Sequence, residues 1–207
     1  MTGSHRDANK SYMIFYKPYG VLSQFTDSAG RRTLSSYGPF PKDVYPVGRL
    51  DADSEGLVLL TNDGEMKHRL LEPRFSHQRV YLVQVERVPS EEALTHLRDG
   101  ILIEGRRTKG ASVRLLEDPP SLPPRSVPIR FRKHVPTAWI EIKLKEGKNR
   151  QVRKMTAAIG HPTLRLVRVS FGPLDLSGLL PGSCRNLTRT ELEALRSSLS
   201  IGSSPEH

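Results

Sequence analysis

The chain has a single cysteine, a single tryptophan and few aromatic residues of any kind, 6% of 207, and it has no long apolar run. One thiol, Cys184, forms no internal disulfide and builds no thiolate zinc site alone. A membrane-spanning helix needs about 20 consecutive apolar residues. The densest stretch here, around Leu57 to Leu60, is far shorter. The N-terminus, Met1-Thr2-Gly3-Ser4-His5-Arg6-Asp7, has no apolar segment ahead of a cleavage site, so a cytoplasmic protein without membrane attachment is expected. Neither Gly-x-x-x-x-Gly-Lys-Ser/Thr nor Gly-x-Gly-x-x-Gly occurs, which removes the commonest sequence warrants for a bound nucleotide. The seven histidines are scattered, and none has the His-Glu-x-x-His spacing of a helical zinc site. Any catalysis is expected to use ordinary side chains, with no metal and no cofactor.

Positive charge is in excess: 32 Lys+Arg against 22 Asp+Glu, a net charge of +10. Between Lys145 and Arg168 stand seven basic residues, Lys145, Lys148, Arg150, Arg153, Lys154, Arg165 and Arg168, against one acid, Glu146. Such clustering is the footprint of a surface that tracks phosphates, because each neutralised phosphate releases condensed counterions. The plain alternative is a solvated charged face. Arg125, Arg130, Arg132 and Lys133 form a second basic group.

Residues 1–10 and 200–207 are polar and aperiodic and are expected to be mobile tails around a domain over 11–199. Tyr12 to Tyr16 reads as a strand that stops at the Lys17-Pro18-Tyr19-Gly20 turn, with extended chain resuming over Val21 to Phe25. Gly56 to Thr61 reads as a buried strand ended by an Asn62-Asp63-Gly64 turn, followed by a helix from about Glu65 that stops near Pro73. Arg79 to Glu86 alternates like a half-buried strand. Pro89-Ser90-Glu91-Glu92 opens a helix that Gly100 closes. Five prolines within residues 119–128 make a surface loop ahead of another strand pair, whose second member is Ala138 to Leu144.

A helix is expected over about Asn149 to Ile159, with Val152, Met155 and Ile159 on its packed face and Arg150 and Lys154 opposite, followed by a strand from Leu164 to Phe171. Thr188-Arg189-Thr190-Glu191 has capping-box spacing ahead of a C-terminal helix. Strands and helices interleave without strict βαβ regularity, which points to a mixed sheet with helices packed on it.

The densest group of potentially reactive side chains is Gly48-Arg49-Leu50-Asp51-Ala52-Asp53-Ser54-Glu55-Gly56. On a regular strand its three acids would share one face and need a cation or a metal. In a loop, one acid could serve a substrate while the others cap or solubilise.

Gly48 to Gly64 as a whole resembles the signature of RNA pseudouridine synthases, in the branch that modifies ribosomal RNA. Lys17-Pro18-Tyr19-Gly20, the Val80-Tyr81 strand and Glu146-Gly147-Lys148-Asn149-Arg150-Gln151-Val152-Arg153-Lys154-Met155 resemble that branch's other motifs in the same order, so the resemblance spans residues 12 to about 190. It implies an α/β (α+β) catalytic domain with a mixed, largely antiparallel sheet, split by a cleft into sub-lobes of about 11–75 and 76–199, with Asp51 on the cleft floor. Members commonly begin with a small S4-type RNA-binding domain. Only about ten residues precede the first motif here, so no S4 domain is expected, as in the short members of the branch. Those members imply isomerisation of one uridine of 23S ribosomal RNA, free or in an assembling large subunit, by a monomer.

The resemblance also implies the roles of individual residues. Asp51 is the catalytic carboxylate, acting either as nucleophile on C1′ or as base toward a ribose proton. Arg153 pairs with it and favours its anion. Tyr81 stacks on the target base and is a candidate for C5 deprotonation, although a tyrosine in such a strand more often packs in a core. Arg49 contacts the RNA or fills the space left by the extruded base, unless it pairs with Asp53 or Glu55. Lys17, Lys148, Arg150, Lys154, Arg165 and Arg168 are candidate RNA contacts, and Leu164 and Leu166 candidate walls of a base pocket. A non-catalytic RNA-binding protein of this fold would carry the same charge but has no use for a carboxylate amid phosphates. A metal-dependent nuclease would use Asp51, Asp53 and Glu55 together.

Overall fold

A computed structural model describes residues 9–72, 75–129 and 135–200. The expected tails over 1–8 and 201–207, Pro73 as a helix stop, and Arg130, Arg132 and Lys133 of the second basic group lie outside the described residues. In chain order the elements are β1 (Tyr12–Lys17), β2 (Tyr45–Pro46), β3 (Glu55–Thr61), α1 (Gly64–Leu71), β4 (Arg79–Glu86), α2 (Glu91–Asp99), β5 (Leu102–Ile103), β6 (Arg106–Arg107), β7 (Ser112–Leu115), β8 (Thr137–Leu144), α3 (Gln151–Ala158), β9 (Thr163–Phe171), β10 (Leu174–Asp175), β11 (Cys184–Asn186) and α4 (Arg189–Ser200).

The chain divides into two compact units, residues 1–76 with 172–207, and 77–171. The expected boundary between sub-lobes at 75/76 lies beside this division, but residues 172–199, placed by expectation in the second sub-lobe, return to the first unit.

In the first unit β1 lies between β11 and β3 and is antiparallel to both, and β2 is also antiparallel to β3. Every residue of β3 is buried, as the unbroken Leu57-Val58-Leu59-Leu60 run requires of a strand covered on both faces. Ile14, Phe15 and Tyr16 of β1 are buried beside it. The Asn62-Asp63-Gly64 signal is a helix start: the Asp63 carboxylate accepts from the Met66 N–H at 3.1 Å and caps α1, while its other oxygen takes Lys10 Nζ at 2.9 Å and the Tyr12 hydroxyl at 2.7 Å. Val21 to Phe25 forms no strand, only a bridge from Leu22 to Thr33.

The second unit is an antiparallel sheet in the order β9–β4–β8–β7, with a two-strand hairpin, β5–β6, apart from it. Tyr81, Val83 and Val85 of β4 stand opposite Ile142, Ile140 and Ala138 of β8, and all six are buried. This is the alternation of a half-buried strand. On its other edge β8 pairs antiparallel with β7, which precedes the proline-rich loop. The partner expected after that loop would fall largely on residues 130–134, outside those described. Helix α2 opens on Ser90, whose Oγ accepts from the Ala93 N–H at 3.2 Å, and buries Leu94 and Leu97. It ends at Gly100, where φ is +87° and any side chain would press on the Thr108 carbonyl. Helix α3 starts two residues later than expected, because Arg150 takes a left-handed conformation at its N-cap.

The capping box forms as expected. Thr188 Oγ1 accepts from the Glu191 N–H at 3.2 Å and the Glu191 carboxylate accepts from the Thr188 N–H at 2.7 Å. Arg185 of β11 grips both carboxylate oxygens of Glu191 at 2.7 Å. This guanidinium, helped by the Thr188 donors and opposed by burial, lowers the carboxyl from 4.5 to about 2. A depressed carboxylate stabilises the fold above its unfolded pKa and stops doing so as pH falls through the folded one. Glu191→Gln is therefore expected to cost about 1–3 kcal/mol in urea melts at neutral pH. Its deficit relative to wild type should shrink between the ordinary glutamate pKa and pH about 2. A deficit that is constant over that range would refute the ion pair as its source.

Candidate active site

Asp51 belongs to the first unit and lies in a turn, closed by the Ser54 N–H donating to the Asp51 carbonyl at 3.0 Å. Strand β3 begins only at Glu55. The three acids therefore do not alternate along one strand. Asp51 and Asp53 are half-buried and Glu55 is sealed at 2% exposure. Among the described residues, no group of three or more His, Cys, Asp or Glu could hold a metal ion.

Both peptide neighbours of Asp51 are pinned. The Ser23 hydroxyl accepts from the Leu50 N–H at 3.0 Å and donates to the Leu50 carbonyl at 2.8 Å. On the other side, the Ala52 carbonyl accepts from the Gly20 N–H at 2.7 Å and lies 3.5 Å from Lys17 Nζ. The same ammonium donates to the Val21 carbonyl at 2.7 Å and the Pro18 carbonyl at 2.9 Å. Gly20 has φ +80°, which lets the chain turn back after Pro18 and present its N–H. Lys17, expected as an RNA contact, is fully buried and offers no surface to a phosphate. Arg49 is exposed and makes no ion pair among the described residues, so its expected alternative role, pairing with Asp53 or Glu55, does not occur.

Tyr81 and Arg153 belong to the second unit. Tyr81, 8% exposed, pairs across β4–β9 with Arg168, and the register slips between Val80 and Tyr81. A bulge of this kind re-aims the side chain beside it. The Arg168 guanidinium donates to the Tyr81 hydroxyl. Burial pushes the guanidinium pKa down and Tyr81 offsets part of that shift. Arg79 is similar: burial lowers it, Tyr81 opposes the shift, and Arg168 adds to it. Both guanidinium groups lie over the Phe171 ring, at 5.2 Å for Arg79 and 5.4 Å for Arg168.

Arg168 is thus a buried partner of Tyr81 and is sealed from phosphates. Arg165, also expected to contact RNA, is 7% exposed and donates to the Pro123 carbonyl at 2.8 Å, tying down the proline-rich loop. Arg153 lies half-buried on α3 with its Nε enclosed. Lys148 and Arg150 are exposed, and Lys154 pairs with Glu104 at 2.9 Å. Leu166 is buried and Leu164 half-buried. Val152 and Met155 face the core as expected, joined by Gln151 and Thr156.

Sequence reasoning missed Ser23 and Arg79. Ser23 carries no local signal, because its partner is 27 residues away. Arg79 is the first residue of a strand and reads as a solvated end.

The fold and the placement of these motifs define a pseudouridine synthase domain: an α+β chain with a largely antiparallel sheet and few helices. The chain belongs to the RNA pseudouridylate synthase family, whose model matches residues 11–158. It is similar to the ribosomal large subunit pseudouridine synthase E of Xanthomonas axonopodis pv. citri, with 53% identity over 171 residues, 82% of this chain and 90% of the relative. The protein of the same name from Vibrio parahaemolyticus is 49% identical over 179 residues, 86% of this chain and 74% of that one. A crystal structure of a pseudouridylate synthase superposes with TM-score 0.75 at 29% identity, covering 90% of this chain and 74% of the other. The family that the motifs resemble is the one found.

Removing the pins should be costly. Lys17→Met leaves buried carbonyls without a donor and is expected to destabilise the fold by about 2–4 kcal/mol in urea melts, and Ser23→Ala by about 1–3 kcal/mol. A wild-type midpoint for Lys17→Met would show that the ammonium does not hold this loop.

Proposed function

We propose that the chain isomerises a uridine of 23S ribosomal RNA to pseudouridine, as a cytoplasmic monomer acting on free RNA or on an assembling large subunit, with Asp51 as the catalytic carboxylate. The observation that carries this reading is the pinned backbone on both sides of Asp51: a half-buried carboxylate borne on a peptide that is held in place before any substrate arrives. Relatives named ribosomal large subunit pseudouridine synthase E, aligned over more than four-fifths of the chain, support the choice of RNA.

The target nucleotide leaves its stack so that its sugar can be reached. Asp51 then attacks C1′ or removes a ribose proton, and the C1′–N1 bond breaks. The uracil turns while bound, C5 joins C1′, and the C5 proton is lost. Nothing is oxidised or reduced, so the reaction needs no co-substrate. Arg153 is the cation this reading assigns to pair with Asp51. Tyr81 stacks on the uracil and serves the C5 deprotonation, with its hydroxyl oriented by Arg168. Arg49, Lys148, Arg150 and Lys154 meet the RNA backbone, and Leu164 and Leu166 wall the base.

The test is tritium release from unmodified 23S rRNA labelled at uracil C5. Wild type is expected to release label, and Asp51→Asn to fall by roughly a thousandfold or more. Release by both removes Asp51 from its role. Release by neither makes the chain an RNA binder without turnover.

A further inference from the structure

The hairpin β5–β6 was not singled out by charge or motif. Its Glu104-Gly105 turn has φ +49° and +76°, both positive, as a two-residue type I′ turn requires. It carries Arg106 and Arg107, both exposed, on its return strand. The hairpin borders a cavity of about 370 Å³, whose opposite wall is the turn before α3 and the first residues of that helix. Small ligands and ligand fragments occupy cavities from about 300 Å³ upward.

The deep part of the cavity is set. Thr108 Oγ1 accepts from the Ile101 N–H at 3.0 Å. Gln151 takes the Lys148 N–H at 2.9 Å and donates to Glu146, which also accepts the Lys109 N–H at 3.0 Å. The rim is cationic: Arg106, Lys148 and Lys154 line it, with Glu104 holding Lys154 at 2.9 Å and Glu146 lying 3.3 Å from the Lys148 ammonium. The Arg106 guanidinium and the Asn149 carboxamide, which also line it, make no hydrogen bond or ion pair among the described residues. These donors are unspent, and they converge on one space. No aromatic residue lines it, so it has no platform on which to stack a base.

We propose that this cavity anchors the sugar-phosphate backbone of the RNA substrate, with Arg106 and Asn149 as its free donors, Lys148 as a flanking cation and Glu104 as an opposing charge that tempers the grip. The proposal rests on the RNA-modifying reading above and adds to it a phosphate subsite that reads no sequence. A contact of this type fixes register and carries no base information.

The test is filter binding of the full chain to unmodified 23S rRNA across a salt series. Arg106→Gln should weaken binding roughly five- to twentyfold and reduce the slope of log affinity against log salt by about one. Glu104→Gln should tighten binding, a change of opposite sign that a folding defect does not produce. Arg189→Gln, a charge removal on α4 that breaks only an exposed pair with Glu193 at 2.8 Å, should leave both quantities alone. Unchanged affinity and slope in Arg106→Gln overturn the anchor, as does an equal effect from Arg189→Gln, which would reduce it to bulk charge. A second arm follows the melting temperature in inorganic phosphate against chloride at matched ionic strength. Stabilisation by phosphate that Arg106→Gln abolishes while RNA affinity is untouched would assign the cavity to a free anion and overturn the RNA proposal. Wild-type tritium release is measured in parallel: its absence overturns the isomerase reading alone, because the binding comparison does not depend on turnover.

Discussion

A lysine ammonium held out of water by peptide carbonyls is what the first unit is organised around. Burying a cation is costly unless it is closely solvated by the protein, and Lys17 meets that condition through the carbonyls of Pro18, Val21 and Ala52. The arrangement draws together the end of β1, the turn that follows it and the loop that carries Asp51. The Ser23 hydroxyl completes the hold from the other side. The carboxylate itself is not tied down by these bonds; the peptide that bears it is. A reacting group on a fixed backbone needs little reorganisation when substrate binds.

The second unit spends several of its cations in the same structural way. Arg79 and Arg168 flank Phe171, with Arg168 also on the Tyr81 hydroxyl, and Arg165 reaches back to the proline-rich loop. The exposed charges collect elsewhere, on the turn before α3 and on the β5–β6 hairpin. A positive net charge thus divides into an inner set that holds backbone and rings in place and an outer set that remains open to solvent.

That division explains what the sequence disclosed and what it hid. Strand β4 was legible to the residue because alternation reports directly on burial, and the capping box was legible because both partners lie within four positions. The family was legible because four motifs keep their order. Lys17, Arg165 and Arg168 were not legible as interior groups: a basic residue at a strand end or amid other cations carries the same letter whether it meets a phosphate or a carbonyl. What decides is a partner far along the chain, such as Pro123 for Arg165, 42 residues away. The same holds for the pair of pins around Asp51. The run of acids at 51, 53 and 55 left a strand and a loop both open, since its spacing suits either, and the chain makes a turn until residue 54.

The order β11–β1–β3 has a bearing on how the chain is made. β1 is made well before β11, and one of its two edges is closed only by Cys184–Asn186. Until β11 is made that edge keeps unpaired N–H and C=O groups beside a strongly apolar sequence, a template on which another nascent chain could pair. A contact spanning so much of the sequence is also slow to form. The strand that ends in Lys17 is therefore made long before it is enclosed, and an early stop before residue 184 would leave the first unit with an open flank.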